Sequence, residues 1–142
     1  MKNRTLYRLF GLLFLLLLIS QYLSMELYQV IVPKVVSTTV VLPTLLSSFS
    51  SIAIMPFIEE WLFREKLLFF LLKKTSYWKS ILISSFLFSM IHLQLFSLPF
   101  FLGGIIYSLG RLKSNKWWFP VLLHSSYNGV AILLMYVEVF FS

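Results

Sequence analysis

The sequence contains no cysteine. Disulfides, thiolate metal sites and a cysteine nucleophile are therefore excluded. It contains no aspartate either, so its five acidic residues are all glutamate. Histidine occurs twice, at His92 and His124. Charged residues make up 12% of the 142 residues, and this length leaves no room for a separate soluble domain beside four or five membrane spans.

What is present is mostly apolar. Hydrophobic residues account for 59% of the chain, against about 45–50% in an ordinary soluble domain. They are gathered into long runs. A bilayer core of about 30 Å takes about 20 helical residues to cross. The expected fold is an all-α transmembrane bundle of about five spans. The net charge is +7, yet the basic residues sit between apolar runs. Loop charges of a membrane protein are placed this way, so a lipid environment is expected and a nucleic-acid partner is not.

Lys2, Arg4 and Arg8 precede an apolar run from Leu9 to Met25. The run has the outline of a signal peptide, but no small-x-small cleavage site follows it. It reads as an uncleaved first span, which makes residues 1–30 an N-terminal anchor helix and residues 35–142 the core. Val35 to Leu72 is a long apolar stretch broken by Pro43 and Pro56. It predicts a long helix kinked near Pro56, or a short helix followed by a longer one. Ser80 to about Phe96 is the third span. Phe100 to about Leu109, with Gly103 and Gly104 for close helix approach, is a short fourth. Trp117 to Phe140 is the fifth, with Trp117 and Trp118 as interfacial anchors. Five spans place three basic groups on one side: Lys2, Arg4 and Arg8; Lys73, Lys74 and Lys79; and Arg111, Lys113 and Lys116. That side is expected to be cytoplasmic, with Lys34 alone in an outer loop.

The informative residues are those that lipid should exclude. Glu59, Glu60, Arg64, His92 and His124 all fall inside apolar runs, and each ionisable group there costs about 2.5–3.5 kcal/mol on insertion scales. Glu60 and Arg64, Phe88 and His92, and His124 and Asn128 are three pairs spaced four apart, one helical turn each. Glu60 lies thirteen residues from Lys73, and His92 thirteen from Lys79, or about 20 Å along a helix. Asn128 lies twelve residues beyond Lys116 and His124 eight, or about 18 and 12 Å. Each pair alone has a plain structural explanation: a clasp, a packed histidine, an asparagine bridging two helices. A common depth on three helices points instead to one locus.

Two carboxylates, two imidazoles and an amide suit the activation of water. A glutamate withdrawn from water can act as general base, and a histidine can share that water or bind a metal. A second histidine and an asparagine can donate to a developing oxyanion. Peptide-bond hydrolysis within the membrane is the natural reaction class. The aspartyl variety needs two aspartates, the zinc variety an HExxH string and the serine variety a GxSxG-like loop. None of these is present.

The ordered strings EEWLFR (Glu59 to Arg64), FSMIH (Phe88 to His92) and HSSYN (His124 to Asn128) resemble the EExxxR, FxxxH and HxxxN motifs of the CPBP family. These are the CaaX-protease and bacteriocin-processing (Abi) intramembrane proteases. The resemblance covers about Val40 to Val137. It implies that Glu59 activates water with His92, that Glu60 and Arg64 brace the site, and that His124 and Asn128 stabilise the oxyanion. If a divalent metal such as zinc binds, the resemblance makes Glu59, His92 and His124 its ligands; otherwise no cofactor is implied. The implied substrate is a peptide or membrane protein. Small bacterial members are associated with bacteriocin self-immunity and peptide processing, in a multi-pass setting in the cell membrane with a cytoplasmic N-terminus. Eukaryotic CaaX proteases carry further spans, so prenylated-protein processing is not implied.

One position departs from the family pattern. Glycine commonly follows the motif-one arginine, and here it is Glu65. A charge at that point alters packing, gates access or weakens catalysis. It leaves open a second class of function, a catalytically silent membrane immunity or scaffold protein with the same helical core.

Overall fold

The computed structural model describes residues 3–31, 42–94 and 96–141. The beginning expected for the second span, Val35 to Val41, and the outer-loop Lys34 lie outside the described residues. Those described form five helices and no strand. They are α1 (Asn3–Ile31), α2 (residues 45–72), α3 (Tyr77–Met90), α4 (Leu98–Ser114) and α5 (Trp118–Phe141). The all-helical expectation holds. Two of the five, α1 and α5, are long and apolar enough to cross a membrane.

Helix α2 is continuous but not uniform. Three α-helical segments, Leu45–Phe49, Met55–Glu60 and Leu68–Leu72, alternate with two π-helical stretches, Ser50–Ile54 and Trp61–Leu67. Thr44 starts it, its hydroxyl accepting from the Ser47 N–H at 3.2 Å. Pro56 does not simply kink the helix. Proline lacks an N–H and crowds the carbonyl four residues back. The backbone answers by widening into a π-stretch just before it, where the Met55 N–H bonds to the Ser50 carbonyl. Glu59 and Glu60 therefore sit on a short α-segment held between two wide turns, the kind of irregularity that recurs at functional sites.

The boundaries of the next two helices differ from expectation. The third ends at Met90 rather than near Phe96. His92 lies in the turn beyond it, and Leu93 takes a left-handed φ of 49° that reverses the chain. The apolarity of Leu93 and Phe96 suggested more helix, but these residues form the α3–α4 connection. The fourth helix is longer than expected, running from Leu98 to Ser114. Its last turns carry Arg111, which is therefore a buried helix residue and not a loop charge. Asn115 closes it in the left-handed conformation, its N–H bonding to the Arg111 carbonyl.

Helix α4 is the centre of the bundle and packs against α1, α3 and α5. The core joins Leu13 and Leu17 of α1, Phe63 of α2, Phe88 of α3, Ile106 and Tyr107 of α4, and Phe119 and Leu123 of α5. Small residues let α3 and α4 approach closely. A side-chain carbon at Gly104 would come within 2.9 Å of the Ser85 side chain, so only glycine fits there. Ser80, Ser84, Ser85 and Ser89 are all buried along α3. The Ser84 hydroxyl donates to the Phe63 carbonyl at 3.0 Å and so ties α3 to the second π-stretch.

Candidate active site

The site begins with Glu60 and Arg64, one turn apart on α2. Both are fully buried, with Arg64 Nε 3.0 Å from Glu60 Oε2. This is an ionic contact without hydrogen-bond alignment. Arg64 Nη2 donates to the Gly104 carbonyl at 3.2 Å. The guanidinium carbon stands 4.4 Å from the centre of the Phe88 ring, a cation–π contact that is strong once water is excluded. Arg64 is thus held by α2, α3 and α4 together.

The other carboxylate oxygen of Glu60 meets α5. His124 Nδ1 lies 3.0 Å from Glu60 Oε1 and 3.8 Å from Glu59 Oε2. An ionised carboxylate only accepts, so Nδ1 carries the hydrogen. The Tyr107 ring stacks on His124 at 4.7 Å and 16°. That contact, with the Glu60 bond, fixes the imidazole plane. The imidazoles of His124 and His92 both lie within electrostatic reach of Glu59.

His92 is positioned through Phe88. Its Nδ1 lies 2.9 Å from the Phe88 carbonyl. A carbonyl only accepts, so Nδ1 donates and Nε2 keeps the lone pair. The ring stacks on Phe100 at 4.0 Å and 25°. Phe88 is the hub of the site, touching the rings of His92 at 4.9 Å and His124 at 5.9 Å as well as Arg64. Spacing made it the partner of His92; its ring and its carbonyl are what give the spacing a purpose.

Asn128 faces another way. Its Nδ2 donates to the Ser51 carbonyl at 2.8 Å. In the π-register that joins Met55 to Ser50, that carbonyl would look to residue 56. Residue 56 is proline and has no N–H to give. The asparagine on α5 supplies the missing donor.

Beside the cluster lies a cavity of about 570 Å³, within the size range of small-ligand sites. His124, Tyr127 and Asn128 line it from α5, and Gln21, Met25 and Tyr28 from α1. Phe88 and Tyr107 also reach it, whereas Glu59, Glu60, Arg64 and His92 do not. The expected residues thus divide into three groups. Glu59, Glu60, Arg64 and His124 form one contact network. His92 joins it through Phe88. Asn128 joins it only through the backbone of α2 and the shared cavity.

Over residues 41–130 the chain matches the family described as type II CAAX prenyl endopeptidase, Rce1-like. The chain belongs to that Rce1-like family. It is a family of membrane-embedded endopeptidases, so the protein is of protease type. No curated protein and no solved structure was found to match the chain. The matched segment of this Rce1-like chain holds all three motifs and α2 to the first half of α5, and it leaves α1 outside.

The same geometry bears on a metal. Among the described residues, no three histidine or carboxylate side chains gather closely enough to hold an ion. His124 turns Nδ1 to the glutamates, and His92 turns Nδ1 to a carbonyl. Glu59, His92 and His124 as they stand do not form a ligand set.

Three contributors to this Rce1-like site were not read from the sequence. Tyr107 stacks on His124, and the Gly104 carbonyl receives Arg64. Arg111 pairs with Glu65, its guanidinium carbon 4.6 Å from the Phe69 ring. Glu65 is therefore one half of an ion pair between α2 and α4. The four-residue spacing of Gly103 and Gly104 to Tyr107 and Ser108 marks a close-packed face of α4 without naming the partners of Tyr107 or of the Gly104 carbonyl. No sequence signal pairs Arg111 with Glu65, which stand 46 residues apart.

Proposed function

We propose that this protein is an intramembrane endopeptidase in which Glu59 activates the water that hydrolyses a peptide bond. The observation that carries this reading is the buried carboxylate–imidazole–carboxylate contact. His124 Nδ1 sits 3.0 Å from Glu60 and 3.8 Å from Glu59, on the wall of a cavity that can receive a peptide. Buried charges of this kind are tolerated in a membrane chiefly where they serve function.

In this mechanism Glu59 takes a proton from water as the water oxygen attacks the scissile carbonyl carbon. His92, with Nδ1 committed to Phe88, offers Nε2 to the same water. The carbonyl electron pair moves to oxygen, and the oxyanion is met by His124, with Asn128 at the cavity edge. The intermediate collapses, the carbon–nitrogen bond breaks, and the departing nitrogen takes the proton from Glu59. Glu60 holds His124, and Arg64 braces Glu60 from one turn along α2.

The setting we propose is a bacterial cell membrane crossed five times, with the N-terminus in the cytoplasm. Residues 1–30 serve as anchor and residues 35–142 as the protease core. The motif resemblance supports a role in bacteriocin self-immunity or peptide processing. The test is Glu59→Gln in proteoliposomes, on peptides identified by comparing membrane proteomes of wild type and variant. The expected result is a fall in kcat of about 10³-fold at unchanged abundance and KM. Cleavage by the variant within threefold of wild type removes Glu59 as the base, whereas membrane proteomes that do not differ and no cleavage by either protein favour a catalytically silent immunity or scaffold protein instead.

A further inference from the structure

Helix α1 lies outside the matched family segment, yet it builds one wall of the cavity. Gln21, Met25 and Tyr28 are spaced i, i+4 and i+7, so they share one helix face. That face is tied to the start of α4 at two points. Gln21 Nε2 donates to the Pro99 carbonyl at 2.8 Å. The Tyr28 ring meets the Phe96 ring of the α3–α4 connection at 5.4 Å. Between these ties, Met25 lines the cavity with Phe96, Pro99 and Phe100 across from it.

The cavity lining is mostly apolar and aromatic, with the amides of Gln21 and Gln94 among it. Among the described residues no lysine, arginine, aspartate or glutamate lines the cavity, and His124 and Asn128 line it from α5. A methionine thioether and aromatic faces suit a bulky apolar group of variable shape. We propose that the α1 wall forms a side-chain subsite for a large apolar or aromatic residue next to the scissile bond. Met25 and Tyr28 then set the size it accepts. This rests on the endopeptidase reading and deepens it.

The full chain in proteoliposomes is assayed with fluorogenic peptides carrying Ala, Leu, Phe or Trp at each position flanking the scissile bond. At one flank kcat/KM rises at least tenfold from Ala to Phe. Tyr28→Ala enlarges the subsite and raises the Trp-to-Leu ratio about fivefold. Met25→Trp narrows it and lowers the ratio by a similar factor. Leu23→Ala, on the outward face of α1, leaves the ratio alone. A ratio unmoved within twofold in both cavity variants overturns the subsite. A second readout needs no turnover. Glu59→Gln protein is irradiated with the same peptide bearing benzoylphenylalanine at that flank, and the adduct is expected within residues 21–28. An adduct elsewhere, or labelling there only by a photoactivatable acyl lipid, also overturns it. Should Glu59→Gln keep cleaving, the endopeptidase mechanism falls, while the adduct still reports on the subsite.

Discussion

Glu65 shows how a residue acquires its meaning from its partner. By sequence it stands where a glycine is expected, and a lone charge there would disturb packing beside the first motif. In the fold it pairs with Arg111 of α4, whose side chain is only 10% exposed. The pair thus offsets a charge that would otherwise be buried alone. Restoring the expected glycine should harm the protein. Glu65→Gly leaves Arg111 uncompensated and is expected to cost about 2 kcal/mol, or on the order of 5 °C in Tm in detergent. The swap Glu65→Arg with Arg111→Glu should recover more than half of that loss. A glycine variant as stable as wild type, or a swap no better than the single change, refutes the clasp. Tyr107 and Gly104 give the same lesson. A tyrosine in an apolar run carries no mark of what it will stack on, and a glycine marks close approach without saying which side chain uses its carbonyl.

At the scale of the element, α2 carries most of what is unusual. Its site segment lies between π-stretches whose backbone groups need partners from outside the helix. Ser84 reaches the Phe63 carbonyl, and Asn128 reaches the Ser51 carbonyl. The second contact exists because Pro56 cannot donate, which predicts a specific coupling. Asn128→Ala in the native background leaves a carbonyl unsatisfied and should cost about 1–3 kcal/mol. In a Pro56→Ala background residue 56 regains its N–H, and the same change should cost less than about 0.5 kcal/mol. Unfolding of the four variants in mixed micelles measures the cycle. Strict additivity is the result that removes this account of Asn128. Much of α2 was legible: its end at Lys73, the disturbance near Pro56, and the shared face of Glu60 and Arg64. The nature of the disturbance was not, because a kink and a π-stretch answer the same missing N–H. The end of α3 was misread for a related reason. Leu93 and Phe96 both line the cavity and Phe96 also meets Tyr28 of α1, so their apolarity does not mean that helix continues through them.

The whole molecule is built inside out relative to a soluble protein. Leu12, Leu45, Phe70, Phe86 and Phe140 are exposed, while Glu60, Arg64, His124 and a row of serines are buried. Such an exterior is stable in lipid and a liability in water. Two helices are long and apolar enough to cross. Helices α3 and α4, of 14 and 17 residues, reach about 21 and 26 Å, a little short of a bilayer core of about 30 Å. Their connection, with His92 and one edge of the cavity, would then lie below the membrane surface, where a hydrolytic site needs both water and a lipid-borne peptide. The α2–α3 turn at Lys73 and Lys74 and the α4–α5 turn at Asn115 and Lys116 lie at the opposite ends of α3 and α4. The five crossings we propose would place both turns and the N-terminus in the cytoplasm. The absence of cysteine makes this directly measurable. Single variants Asn3→Cys, Lys74→Cys and Asn115→Cys should resist a membrane-impermeant maleimide in intact cells and react fully once the membrane is permeabilised. Labelling of Lys74→Cys from outside, with Asn3→Cys still protected, would mean that α1 and α2 do not both cross and that the basic residues do not set the orientation.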